Sequence, residues 1–319
     1  MNIPQRFAYL AVFIAVCGHA SSEFVAVLTG VAGPELSVWR YLLGGFGLVV
    51  AAIAVSGFKA FADVVQHGGL GLLGVSVYGV AGAYLAFHWA LDFASPVQIA
   101  ILVTTIPIWV GLANWKINGQ ALSWLKVVTA VFAFCGLVLL ITDGALDQLR
   151  GERDSLIGIG LSLICAALAS IYAVQIKPYV SRHGALLTTA VSLMFAGGVL
   201  WLGVGLVWGD WVNPASLFAT SNVENTASQA GCWILVLAFW NTTVTQLLWI
   251  GGLAAAADMT RASYLFFLKP IIAAILALAF LSGTEISALQ WAAIAIVTTS
   301  VVVEMLWDRY LRSKGTPTL

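Results

Sequence analysis

Lys269 and Pro270 interrupt an apolar run that extends from about Met259 to Leu281. A run of that length can cross a hydrocarbon core of about 30 Å as a helix. An ammonium near the middle of such a core costs roughly 2.5–3.5 kcal/mol, so it faces a partner or a wet cavity. Lys269 therefore reads as an anion clamp, or as the partner of a buried carboxylate, or as a cap for carbonyls freed by Pro270. Proline removes a backbone donor and kinks a helix, which can turn a carbonyl toward a cavity. Pro107, in another apolar run, is its counterpart, and the pair reads as kink or gating positions.

His19 and Glu23 lie four residues apart on one helical face, with Ser22 beside them. Glu23 is the best carboxylate for a proton or for the ammonium of a zwitterion; the alternative is a pair with His19 or Lys269 that only joins helices. Tyr84 and His88 share a face, and His88 either lines an outer mouth or hydrogen-bonds a neighbouring helix. Gln98, Thr105 and Trp109 form one stripe of 3.6-residue period, as do Tyr172 with Gln175 and Asn241 with Thr245, Gln246 and Trp249. Trp109, Trp240 and Trp249, with Tyr84, Tyr172 and Tyr264, offer flat walls for a large neutral group. Glu304, near the end of the last apolar run, is expected to snorkel toward water. The chain has no HExxH pair, paired aspartates or Ser–Lys pattern, so an intramembrane enzyme is disfavoured. Cys17, Cys135, Cys165 and Cys232 stand singly, without metal or redox spacing, and no metal or cofactor is expected.

The elements behind these residues follow from a chain that is 61% hydrophobic and 9% charged. A soluble domain of this size needs more surface charge, so the chain reads as an all-α polytopic membrane protein embedded in a lipid bilayer. Zero net charge and the lack of a basic block exclude nucleic acid as a partner. Apolar windows predict ten transmembrane helices, near 7–28, 37–56, 69–91, 94–115, 121–142, 156–176, 184–208, 231–252, 259–281 and 286–306. With only Arg6 ahead of it, the first reads as an uncleaved helix. Arg6, Lys59, Lys116, Lys126, Lys177, Arg182, Arg261, Arg309, Arg312 and Lys314 fall on the side of the termini, which is therefore cytoplasmic by the positive-inside rule. Arg40, Arg150 and Arg153 fall on the other side, and Lys269 is left as the buried cation.

Aligning Pro107 with Pro270 lays the fourth helix on the ninth, a spacing of about half the chain. The unit is then five helices, residues 1–150 and 151–319, and an odd count inverts the second copy. Inverted repeats mark alternating-access transporters, with a substrate site near the midplane.

Tyr84-Leu85-Ala86-Phe87-His88-Trp89-Ala90-Leu91, the short step into Ala94–Pro107, and Lys269-Pro270 followed by Gly283, Thr284 and Glu285 carry a resemblance that covers nearly the whole chain. In these the chain resembles the EamA-like branch of the drug/metabolite transporter superfamily, and within it the bacterial aromatic amino acid exporters. The resemblance implies a monomeric ten-helix basket, two inverted five-helix repeats around a central cavity, in a bacterial inner membrane. In the sugar-phosphate branch of the superfamily a lysine of the ninth helix binds the substrate anion, and Lys269 lies at a comparable depth. The expected function is export of amino acids, broad, with preference for large neutral and aromatic ones; the alternative is export of other small metabolites or cationic drugs. With no second buried Lys or Arg expected, a single carboxylate suits the site better than a phosphate dianion.

Overall fold

The computed structural model describes residues 2–94, 96–120, 122–145, 155–217, 227–280 and 286–313. The boundary expected at 150/151 and the Gly283–Glu285 stretch lie outside the described residues. We number the helices α1 (Ala8–Thr29), α2 (Gly33–Ser56), α3 (Phe58–Ala90), α4 (Gln98–Asn118), α5 (Trp124–Thr142), α6 (Ser155–His183), α7 (Ala185–Trp208), α8 (Ala230–Ala255), α9 (Met259–Leu276) and α10 (Ala288–Ser313). Nine candidate spans among the described residues are long and apolar enough to cross a membrane, and α1, with 22 residues, packs among them. Large apolar side chains also point outward, as Phe46, Val55 and Leu206 do, which suits a chain solvated by lipid rather than water. It is a polytopic, all-helical membrane protein.

Two boundaries move outward from the sequence-based ones. The second helix begins at Gly33 because Pro34 sits in its first turn, where a missing N–H costs nothing. That places Arg40 two turns inside the helix. The third begins at Phe58 and bends at Gly69, whose φ of 52° suits a residue without a Cβ.

Besides α6, which is interrupted at Ile176, four helices depart from α geometry, and those four departures correspond. Helices α3 and α8 each contain a π-helical segment, Val77–Gly82 and Phe239–Val244. Helix α4 breaks at Thr104–Thr105 and resumes with Pro107 in its first turn. Helix α9 tightens into a 3₁₀ turn over Tyr264–Leu268 and resumes with Lys269-Pro270. Both prolines thus restart a helix rather than merely bend one.

The packing partners correspond in the same way: α2 lies on α7 and α5 on α10, while α1 with α8 mirrors α6 with α3. Small residues bring the α2–α7 backbones together. A methyl added at Gly197 falls 2.8 Å from the Tyr41 carbonyl oxygen, and one at Gly45 3.0 Å from that of Leu193. Backbone cannot yield as a side chain can, so Gly197→Ala is expected to destabilise the bundle by about 1–3 kcal/mol. Thermal unfolding in detergent micelles checks this, with Gly198→Ala, which meets open space, as the neutral control.

Candidate functional site: a cationic, aromatic cavity inside the bundle

The π-helical segment of α8 builds the first part of the site. Widening the turn redirects backbone carbonyls, and threonines answer them from five residues on: Thr242 Oγ1 donates to Leu237 O at 3.0 Å and Thr245 Oγ1 to Trp240 O at 2.8 Å. The Asn241 carbonyl instead accepts from Arg40 Nη2 at 3.0 Å, and Thr242 Oγ1 accepts from Arg40 Nε at 3.0 Å. Arg40 is only 4% exposed, and its guanidinium carbon lies 5.7 Å from the Tyr84 ring centroid. Two of its five donors are engaged in these bonds, which fix the fork without exhausting it.

Arg40 and Lys269 line one internal cavity together with His19, Ser22, Tyr84, Phe87, Val103, Ile106, Val110, Cys165, Ala169, Ala173, Trp249 and Phe266. The cavity volume is ≈ 50 Å³, within a wider space of ≈ 580 Å³ that includes its open side. That is room for a few waters. His19 sits edge-on to Trp249 and Phe266, with ring centroids 5.8 and 5.5 Å away, and its buried Nε2 has no hydrogen-bond partner. Lys269 Nζ lies 5.8 Å from the Phe266 centroid. Among the described residues the wall holds two cations and no carboxylate.

Several residues anticipated as site residues stand behind the wall. Gln246 donates to Tyr84 Oη at 2.7 Å and reaches Tyr41 Oη at 3.4 Å, so it positions the tyrosine that lines the cavity. Tyr172 bonds Ser192 at 2.9 Å, and His88 bonds Ser37 of α2, which selects the interhelical alternative for that histidine. Tyr264 donates to the Lys126 carbonyl, Gln98 is buried, and Trp109 is half-buried; none of the three is in the cavity wall. The side chain of Glu23 lies outside the described residues.

A second polar cluster gathers at the start of α9, about two turns before Lys269 of the cavity wall. Asp258 caps α9 by accepting from Arg261 N at 3.0 Å and takes Lys126 Nζ of α5 at 2.6 Å. Arg261 Nε donates to Glu304 Oε1 of α10 at 3.1 Å, and Arg261 Nη2 lies 3.8 Å from Asp258. Asn114 of α4 donates to Thr260 Oγ1 at 3.2 Å beside it.

These contacts correct two sequence-based expectations. Lys269 is not the sole buried cation, because Arg40, Lys126 and Arg261 are 4, 4 and 7% exposed. Glu304 does not snorkel, being 1% exposed. The physical reason is pairing: each charge meets an opposite charge or a freed carbonyl, so none has to reach water. Sequence signals existed. Pro34 marks an earlier start for α2, which buries Arg40, and Asp258 ahead of Met259 is an N-cap that draws Arg261 inward.

Comparison with known proteins places the chain in a family. The model of the EamA-like transporter family matches residues 6–142 and 156–305. The chain belongs to that family. It is 24% identical over 306 residues to the uncharacterized transporter YyaM of Bacillus subtilis strain 168, covering 92% of this chain and 93% of that one. It is 26% identical over 218 residues to an uncharacterized transporter of Clostridium kluyveri, covering 67% of this chain and 64% of the other. A solved crystal structure, 18% identical, superimposes with a TM-score of 0.77 over 95% of this chain and 98% of its own, which establishes the shared fold.

The connection between α8 and α9 supplies a pH test. Burial pushes the Asp258 carboxyl up, but the Lys126 charge and hydrogen bond, with the Arg261 N–H and charge, outweigh it and hold the group below its ordinary value. A carboxyl depressed on folding stabilises above its unfolded pKa of about 3.9 and loses that contribution as pH falls through the lower folded value. The stability gap between the protein and Asp258→Asn is therefore expected to stay constant from about pH 8 to pH 5 and to close only below about pH 4, as read by thermal unfolding in micelles.

Proposed function

We propose that this EamA-family transporter exports amino acids by alternating access, broadly, with preference for large neutral and aromatic ones. The observation that carries this reading is the meeting of Lys269, Arg40 and His19 inside an aromatic wall within the bundle. A carboxylate takes a charge-assisted bond from a buried cation, while Tyr84, Phe87, Trp249 and Phe266 accept a flat apolar body. An apolar wall makes few demands on side-chain polarity, which suits breadth. Lys269, His19, Tyr84 and Trp249 are proposed as substrate contacts, with Glu23 proposed as acceptor for the ammonium.

The architecture we infer for it is ten membrane-spanning helices in two inverted repeats, residues 1–150 and 151–319. Support comes from the corresponding π-helical segments, the corresponding proline restarts, the paired α2–α7 and α5–α10 contacts and the two separate stretches that match the family. Cations concentrated at the end with the termini suit a monomer in a bacterial inner membrane with both termini cytoplasmic. We read it as a carrier and not an enzyme.

Arg40 favours a second reading, an organic anion without an ammonium, since two cations then face one acid group. The same two cations weigh against a cationic drug.

Uptake of labelled phenylalanine into proteoliposomes tests the proposal, with unlabelled amino acids, organic acids and sugar phosphates as competitors. Loss of one charge-assisted bond should lower transport by Lys269→Ala about tenfold or more, with folding retained in detergent. Competition by organic acids alone would select the second reading. Indifference to both Lys269→Ala and Arg40→Ala would remove the clamp.

A further inference from the structure

We propose that Glu304 is a proton-binding site that makes the bundle pH-gated, by unlocking the end at which α5 and α9 begin. The inference rests on the alternating-access reading but not on any particular cargo.

The argument starts from unequal satisfaction within one charge cluster. Lys126, Asp258, Arg261 and Glu304 carry two positive and two negative charges and span α5, the α8–α9 connection, α9 and α10. Both oxygens of Asp258 are engaged, Oδ1 by the Arg261 N–H and Oδ2 by Lys126 Nζ. Glu304 is satisfied on one side alone: Oε1 accepts from Arg261 Nε, whereas Oε2 is buried without a hydrogen-bond partner. A buried acceptor without a donor carries its full desolvation penalty, larger when the group is charged. Of the two carboxylates, Glu304 is therefore the one for which adding a proton removes a standing cost. Among the described residues, the titratable and charged groups that act on it from the surrounding elements are Arg261, Lys126, Asp258 and Tyr264.

The position gives that proton a consequence. The cluster gathers the first turns of α5 and α9 with the later half of α10, about two turns along α9 from Lys269 of the cavity wall, and it joins α5 to the helices that follow Ala255. One proton taken from water at that end of the bundle onto Oε2 cancels the Glu304 charge, leaves the cluster with one excess positive charge and weakens the Arg261 pair. The α9–α10 contact then loses its ionic tie. Closing the end again restores the pair and expels the proton. Ionised Glu304 holds the shut end, and neutral Glu304 accompanies the open one, so acidification at that end raises the fraction of time it is open.

Cys165 lines the cavity and reports its opening without any cargo. In a background with Cys17, Cys135 and Cys232 replaced by Ser, the measurement is alkylation of Cys165 by a water-soluble maleimide. Rates are normalised at each pH to the unfolded protein, which removes the titration of the thiol itself. The normalised rate should rise roughly fivefold or more from about pH 8 to about pH 5.5, and Glu304→Gln should be fast at every pH. Glu304→Asp, which still titrates, should keep the pH response, and Asp258→Asn should raise the rate while leaving that response in place. A flat wild-type profile, or a Glu304→Gln profile that follows the wild type, overturns the proposal. If Glu304→Gln does not fold, a pH-insensitive Glu304→Asp does the same. Because no substrate is added, these outcomes stand apart from success or failure of phenylalanine transport.

Discussion

A charge inside a hydrocarbon slab has to be answered by the protein itself, and that constraint organises this molecule. Water cannot solvate the groups, and lipid offers neither donors nor acceptors. Arg40 is answered by a carbonyl and a hydroxyl of a widened turn, Lys126 by Asp258, and Arg261 by Glu304. Each answer comes from a helix distant in sequence, so the charges bind the bundle together while being buried by it. Net stabilisation from such pairs is modest, because desolvation offsets most of the Coulomb term. Their effect is on which helix positions are allowed: removing one partner strands the other in a medium with nothing to replace it.

Irregular backbone serves the same end. A regular helix has no spare carbonyls to offer, whereas the π-helical segment of α8 frees that of Asn241 for Arg40. Threonines at 242, 243 and 245 close the remaining gaps from within the helix. The local departures in α4 and α9 put helix restarts, each with a proline, beside the cavity wall at Ile106 and Lys269. Sequence, backbone distortion and site are thus one chain of cause.

Much of this architecture was legible in the residues alone, and the limits were physical. Apolar run length located the helices, and an ammonium amid apolar residues pointed to Lys269, which does line the cavity with His19, Tyr84 and Trp249. What hydropathy could not reveal was depth near a helix end. Arg40, Lys126, Arg261 and Glu304 all sit within two or three turns of a terminus, where composition alone cannot separate a charge that reaches water from one that turns inward. The difference depends on a partner in another helix, Thr242 for Arg40 and Asp258 for Lys126, and such pairs are set by tertiary packing. Gln246 and Tyr172 show the converse: their polar stripes do face protein, but they serve to hold wall residues or neighbouring helices.

The narrowness of the cavity bears on the membrane as an insulator. With a volume of ≈ 50 Å³, the space holds a few isolated molecules rather than a file of them running from face to face. A continuous column of water would let protons hop along it and discharge the cell's electrochemical gradient through every copy of the protein. Phe87, Trp249 and Phe266 give that space an apolar lining, which does not favour such a column. The walls proposed to receive a solute would therefore also disfavour a leak of protons past it.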